Sequence, residues 1–174
     1  MSGYGKMTKA TKPLVVVMGV SGSGKSTIGA LLAAQLGVPF IDADDLHPAS
    51  NIGKMAAGIP LTDDDRWPWL AQVGAALAER RGSGAVIACS ALKRAYRDAI
   101  RHPASSVRFV LLEGTRDLIA VRIGQRVDHF MPPALLDSQL AMLEPLGLDE
   151  RGIVADVALR PEAIAIEVAA RLRS

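Results

Sequence analysis

Apolar residues gather along the chain in short, dense runs, at Leu14–Met18, Val38–Ile41, Ala85–Cys89, Val107–Leu112 and Ile153–Ala158. Between these runs the apolar positions recur at helical spacing, so the pattern predicts strands separated by helices and hence a parallel sheet. The runs that begin at residues 14, 85 and 107 are nearly all apolar, as strands covered on both faces must be. The expected fold is therefore α/β, a three-layer arrangement with a central parallel sheet of about five strands and helices on both faces. The stretch "TDDDRWPWLAQVGAALAERRG" predicts a helix opened by Thr and Asp caps and closed at Gly82, with Pro68 tolerated by its nearness to the first turn. "PALLDSQLAMLEPLG" starts on a proline and stops near Pro145 or Gly147, and "PEAIAIEVAARLRS" puts Ile164, Val168 and Leu172 on one side. Both of these helices read as structural.

Chemistry enters directly after the first strand. Gly19, four residues, then Gly24-Lys25-Ser26 fit G-x-x-x-x-G-K-[ST] between a strand and a helix, the phosphate-binding loop arrangement. Gly19, Gly22 and Gly24 let the backbone approach a pyrophosphate, with Ser21, Ser23 and Thr27 completing the loop and the first helical turn. Lys25 is placed to reach the β and γ phosphates, and the Ser26 hydroxyl to ligate Mg²⁺. Ligands of such sheets lie beyond the carboxyl ends of the strands, which directs attention to residues 42–47, 89–93 and 113–116.

The stretch "DADDLHPASNIGKMAAGIPLTDDDRWPWL" is dense in polar groups and is where acceptor specificity is expected. If the extended conformation continues, Asp42 and Asp44 project to opposite faces, one toward Mg²⁺ and the other toward an acceptor. Capping of the following helix is the other reading for both, and for Asp45. His47, before Pro48, is either a cap, an exposed side chain or a ligand contact. Asp63 and Asp64 fit the stabilisation of acidic residues by a helix N-terminus, whereas Arg66 at the same end is opposed by the dipole and calls for an anionic partner. Lys93, Arg97 and Arg101 fall at i, i+4 and i+8, one cationic stripe, of which Lys93 and Arg97 leave the sheet on its ligand side. Arg122 and Arg126 share a helical face ahead of a lid segment, about residues 122–134, and a basic lid would exclude water from phosphoryl transfer.

Composition narrows the setting. The 174 residues, 49% hydrophobic and 22% charged, suit one domain over residues 14–174, and residues 1–13 read as a disordered leader. A net charge of +2 gives no case for nucleic acid. No apolar stretch has the length of a membrane span, and the single Cys89 reads as a reduced, half-buried thiol, which fits a cytoplasmic setting.

Together "GVSGSGKST", "DADDLHPASNIGKMAAGIPLTDDDRWPWL", "CSALKRAYRD" and "HFMPPALLDSQLAMLE" resemble the gluconate kinase family, small P-loop kinases related in fold to shikimate and adenylate kinases. The first motif is shared by many NTPases, while the second and third are specific to this family. The resemblance implies ATP and Mg²⁺ as cofactors, D-gluconate as acceptor of the γ-phosphate at its terminal hydroxyl, and a homodimer. It also implies that Gly22 to Thr27 hold the nucleotide, that Arg122 and Arg126 are lid arginines, and that Asp44, Lys54, Arg66, Lys93, Arg97 and His129 face the acceptor. Lys25, Asp44 and Arg126 are then the expected catalytic groups, Ser26 and Asp42 the expected metal ligands, and His47 a further substrate contact. Two other readings remain open to the residues: a kinase of another small acceptor, shikimate-like or a nucleoside monophosphate, and a nucleotide switch.

Overall fold

The computed structural model describes residues 10–125 and 132–174. Its strands are β1 (Leu14–Met18), β2 (Phe40–Asp42), β3 (Ala85–Ala88), β4 (Arg108–Glu113) and β5 (Ile153–Asp156). They pair in parallel in the order β2-β3-β1-β4-β5. The intervening helices are α1 (Lys25–Leu36), α2 (Ala49–Ala56), α3 (Asp63–Ala78), α4 (Arg94–Arg101), α5 (Arg116–Gly124) and α6 (Pro133–Met142), with α7 (Pro161–Arg173) last. Short 3₁₀ turns occupy Ala43–Leu46 and Leu148–Glu150.

The alternation of side chains along β1 divides the core. Leu14, Val16 and Met18 face α3 and α4 through Leu70, Val73, Leu77 and Ile100, while Val15 and Val17 face α1 and α7 through Ile28, Leu32, Ile164 and Val168. All five residues of β1 are buried, and each large aliphatic side chain withdrawn from water contributes about 1.5–3 kcal/mol before entropic costs. The edge strand β5 instead alternates buried with exposed positions. A third, smaller cluster of Val20, Leu92, Ile119, Ile123 and Leu136 packs α5 and α6 against the loop after β1. Because β1 lies between β3 and β4, the strand order reverses there, and the crevice at its carboxyl end is the natural ligand position.

The element boundaries differ from the sequence expectation for local reasons. The run from Val38 does not enter the sheet until Phe40, since Gly37 closes α1 in a left-handed cap and the Val38 amide donates to the Ala33 carbonyl. Likewise β5 stops at Asp156, whose carboxylate accepts from the Ala158 amide and turns the chain. Helix α3 starts under Thr62, as its cap residues indicate, but ends at Ala78, and Pro68 lies one turn deeper than expected. Helix α6 ends at Met142, short of Pro145, because the Glu144 amide is diverted to the Leu92 carbonyl. The disordered-leader expectation falls mostly on residues 1–9, outside the described residues, and fails at Lys12, whose amide donates to Gly82 and whose Nζ donates to the Gly37 carbonyl. Among the described residues, no helix is long and apolar enough to cross a membrane.

Candidate active site

The loop after β1 is shaped by its own glycines and serines. Gly22 has φ 81°, and a Cβ there would come within 2.4 Å of Ile123 on α5, so both its conformation and its neighbour demand glycine. Gly24, at φ 94°, turns the chain into α1. The first turn of a helix points its amides out of the helix end, and at α1 these belong to Lys25, Ser26 and Thr27. The loop thus delivers donors and the positive end of a helix dipole to one place. Ser23 has another duty: it is fully buried, and its hydroxyl donates to the Val20 carbonyl at 2.7 Å. The Lys25 ammonium donates to the same carbonyl at 3.0 Å, which draws its side chain back across the loop.

A cleft of about 230 Å³ opens over this loop, lined by Gly22, Lys25, Ser26, Asp42, Asp44 and Gln139 among others. Asp42 ends β2 and accepts at both oxygens, from Ser26 Oγ at 3.0 Å and from the Asp44 amide at 3.0 Å. The second bond caps the 3₁₀ turn at Ala43–Leu46. The chain therefore does not stay extended through Asp44, and the expected projection of the two aspartates to opposite faces is replaced by a turn in which both line the cleft. Desolvation, then the neighbouring Asp42 charge, raises the Asp44 carboxyl above its ordinary value, against the pull of His47 and Lys25. Ser26 and Asp42 are hard oxygen donors already paired beside the phosphate loop, a donor set that suits Mg²⁺, which takes few protein ligands and completes its shell from phosphate and water.

His47 follows the turn. Its ring stacks on Trp69 at 4.2 Å, and its Nδ1 accepts from the Asn51 side-chain Nδ2 at 3.2 Å. Trp69 is itself anchored, with its indole N–H donating to the Ala43 carbonyl at 2.7 Å. Burial lowers the His47 pKa, with Arg66 acting in the same direction and Asp44 opposing both, so the ring is neutral at neutral pH.

Farther along, Arg66 donates to Asp63 Oδ1 at 3.3 Å and to the Tyr96 hydroxyl at 3.2 Å. Lys93 lies 3.6 Å from Asp63 Oδ2 and over the Tyr96 ring. The Tyr96 hydroxyl also donates to Asp63. Asp63 is thereby held below the ordinary carboxylate range, first by Tyr96 and then by the two cations. Asp63 does more than favour a helix start: it gathers two cations on one carboxylate. Tyr96 was carried in the "CSALKRAYRD" motif, and its i+3 spacing from Lys93 is the signal for it. The charges of Asp42 and Lys25 act on Asp44, and those of Asp44 and Arg66 act on His47, so His47 stands between the acidic turn and the cationic cluster.

Other expected residues are placed elsewhere. Lys54 donates to both Asp65 oxygens at 2.8 Å and fastens α2 to the start of α3. Asp65 is held down to about 2 by that ammonium and by the Thr62 amide and hydroxyl of its capping box. Arg97 corrects the expectation of an acceptor contact, because it is fully buried, pairs with Glu150 and donates to the carbonyls of Ala91, Leu92 and Pro145. The stripe also breaks at Lys93, which precedes α4 as its cap instead of sharing its face. Arg122 donates to the Val157 carbonyl, on the loop beyond β5. Arg126, His129 and the middle of the expected lid, residues 126–131, lie outside the described residues. Cys89 is fully enclosed rather than half-buried, and burial pushes its thiol up to about 12. Conversely α6, read as purely structural, supplies Gln139, whose Oε1 accepts from the Ser21 amide at 2.7 Å and whose Nε2 donates to Ser21 Oγ at 3.1 Å.

A parallel sheet with this loop at its strand-order reversal, and an acidic pair facing it, defines a P-loop kinase fold. The family model described as an AAA domain matches residues 14–146. The thermosensitive gluconokinase of Escherichia coli is 49% identical over 142 residues, 80% of this chain and 75% of that protein. The gluconokinase of Gluconobacter oxydans is 46% identical over 156 residues, 88% of each chain. The crystal structure of a gluconokinase from Sinorhizobium meliloti superposes with a TM-score of 0.83 at 49% identity, covering 93% of this chain and 94% of that one. The chain belongs to the gluconokinase family.

Proposed function

We propose that this protein transfers the γ-phosphoryl group of ATP to the terminal hydroxyl of D-gluconate, giving 6-phospho-D-gluconate and ADP. The observation that carries the reading is the cleft shared by the phosphate loop and the Asp42–Asp44 turn, supported by Arg66 and Lys93 held together on Asp63. An open-chain sugar acid needs a cation for its carboxylate and hydrogen-bonding groups along its hydroxyls. Arg66 and Lys93 supply the first, and His47 and Tyr96 belong to the second. Family membership adds the reaction, since the relatives are named gluconokinases.

Within that reading the loop amides and Lys25 bind the phosphates, and Asp44 orients the attacking hydroxyl and takes up its proton. An upward-shifted carboxyl is a better proton acceptor than an ordinary aspartate. A largely dissociative transfer in any case asks more for alignment than for basicity. Ser26 and Asp42 would hold Mg²⁺, which when bound neutralises charge on the phosphates. Arg126 and His129 are assigned to the lid and the acceptor on sequence grounds, as are a homodimeric state and a cytoplasmic location. Lys54 and Arg97 serve as structural ties.

ADP release measured by a coupled assay over a panel of gluconate, shikimate and nucleoside monophosphates tests the reaction. Release with gluconate and not with the others is expected. Release without regard to acceptor, or a preference for another acceptor, overturns it.

A further inference from the structure

Gln139 is a polar residue on a helix face that is otherwise apolar: Leu136, Leu140 and Leu143 of the same region pack with Val20, Ile119 and Ile123. That packing seats α6 against the phosphate loop and fixes where Gln139 starts. Its carboxamide is spent on one residue at both ends, with Oε1 accepting from the Ser21 amide and Nε2 donating to Ser21 Oγ. A residue needed only to fill space would be a hydrocarbon there, since a buried or half-buried amide gains little unless both ends are partnered. The neighbouring loop amides are tied differently, Gly19 to the Ser90 carbonyl and Ser23 to the Val20 carbonyl. The loop is thus held from outside the β1–α1 unit at two points, at Gly19 by Ser90 and at Ser21 by Gln139, and both Ser21 and Gln139 line the cleft.

We propose that Gln139 is a positioning residue for the nucleotide, acting through Ser21 to hold the outer arm of the phosphate loop in the shape that receives a polyphosphate. An uncharged carboxamide suits this place, because a carboxylate would offer the same acceptor while repelling the phosphates. The inference rests on the nucleotide half of the proposed function and does not depend on which acceptor is used.

The test is equilibrium binding of a fluorescent ATP analogue with Mg²⁺ and no gluconate, for wild type, Q139M, S21A and the double variant. Thermal stability is measured alongside. Met keeps the length of the side chain and removes both bonds. Q139M is expected to weaken nucleotide binding about fivefold to tenfold, the worth of roughly one net hydrogen bond, with the melting temperature little changed. The same substitution should cost less in the S21A background by the share of the Nε2–Oγ bond, since S21A keeps the bond from the Ser21 amide to Oε1. Unchanged or tighter binding in Q139M overturns the proposal, as does a loss of equal size in both backgrounds, or a fall in melting temperature without a change in affinity. Should Q139M fail to fold, Q139N is read the same way, since it keeps the polarity but is one methylene too short. A wild-type protein that binds the analogue yet releases no ADP with gluconate sinks the acceptor assignment and leaves this test intact.

Discussion

The Arg97 guanidinium and the Glu150 carboxylate meet side by side, Nε to Oε1 at 2.7 Å and Nη2 to Oε2 at 3.1 Å, with neither side chain exposed. Arg101 adds a third bond to Glu150 at 3.0 Å, and the Gly147 amide a fourth at 2.7 Å. This network ties α4 to the turn before β5. Removing one member strands the other, so R97M should lower unfolding stability by about 3 kcal/mol in denaturant titration. The KM for gluconate of the folded fraction should stay near wild type. A selective rise in that KM would return Arg97 to the acceptor site.

The same network sets a pH window. Burial alone would raise the Glu150 carboxyl, but Arg97, the Gly147 amide and Arg101 outweigh it and hold the group at about 2 against an ordinary 4.5. Its folded-state pKa is depressed, so its contribution is complete above the unfolded value and fades as pH falls toward the folded one. Stability measured by chemical denaturation between about pH 5 and pH 2 should fall less steeply in E150Q than in wild type. Parallel slopes in the two proteins would contradict the assignment.

Asp44 has the opposite shift, with a catalytic rather than a stabilising consequence. Its pKa lies above the ordinary aspartate value of 3.8, so the carboxylate is lost to protonation at a higher pH than for an ordinary aspartate. The acid limb of kcat/KM for gluconate should have its midpoint above that value. D44N should lower kcat by roughly 10²-fold or more while nucleotide affinity persists, as for loss of a positioned base. A D44N enzyme with wild-type turnover would remove Asp44 from the chemistry.

Arg66 and Lys93 share Asp63, and an incoming carboxylate would compete for the same two cations. R66A should raise the KM for gluconate by about tenfold or more, a charge-assisted bond lost, and leave the KM for ATP unchanged. Y96F, which removes the hydroxyl bridging Arg66 and Asp63, should move the same parameter by less. Equal effects on both substrates would place the pair outside the acceptor pocket.

For the Ser26–Asp42 pair the expected dependence is on metal. D42N should raise the Mg²⁺ concentration needed for half-maximal activity, and its deficit in nucleotide affinity should disappear when both proteins are compared in EDTA. A deficit that survives EDTA would make Asp42 a cap of the following turn and nothing more.

The loop and the sheet were legible in the sequence because each rests on local rules. The phosphate loop is a contiguous motif, and β1, β3 and β4 are buried on both faces and so read as unbroken apolar runs. The motif placed Ser26 at the loop, and only the fold brings it to Asp42, 16 residues away. Arg97 was misread because its partner Glu150 lies 53 residues away, and spacing along one helix cannot say which side of that helix meets an acid. Gln139 was missed for the same reason, since its partner Ser21 is 118 residues distant. Asp63 obeys two rules at once, a helix-start acid and the anchor of a cationic pair, and only the fold reveals the second.

The arrangement of the two substrates is tested most directly by a crystal structure with an unreactive ATP analogue, Mg²⁺ and D-gluconate bound together. The account predicts the gluconate terminal hydroxyl oxygen about 3–3.5 Å from the γ-phosphorus, with Asp44 in hydrogen-bond reach of it and the carboxylate end at Arg66 or Lys93. Gluconate seated away from the γ-phosphorus, or bound with its carboxylate toward the phosphate loop, would contradict it.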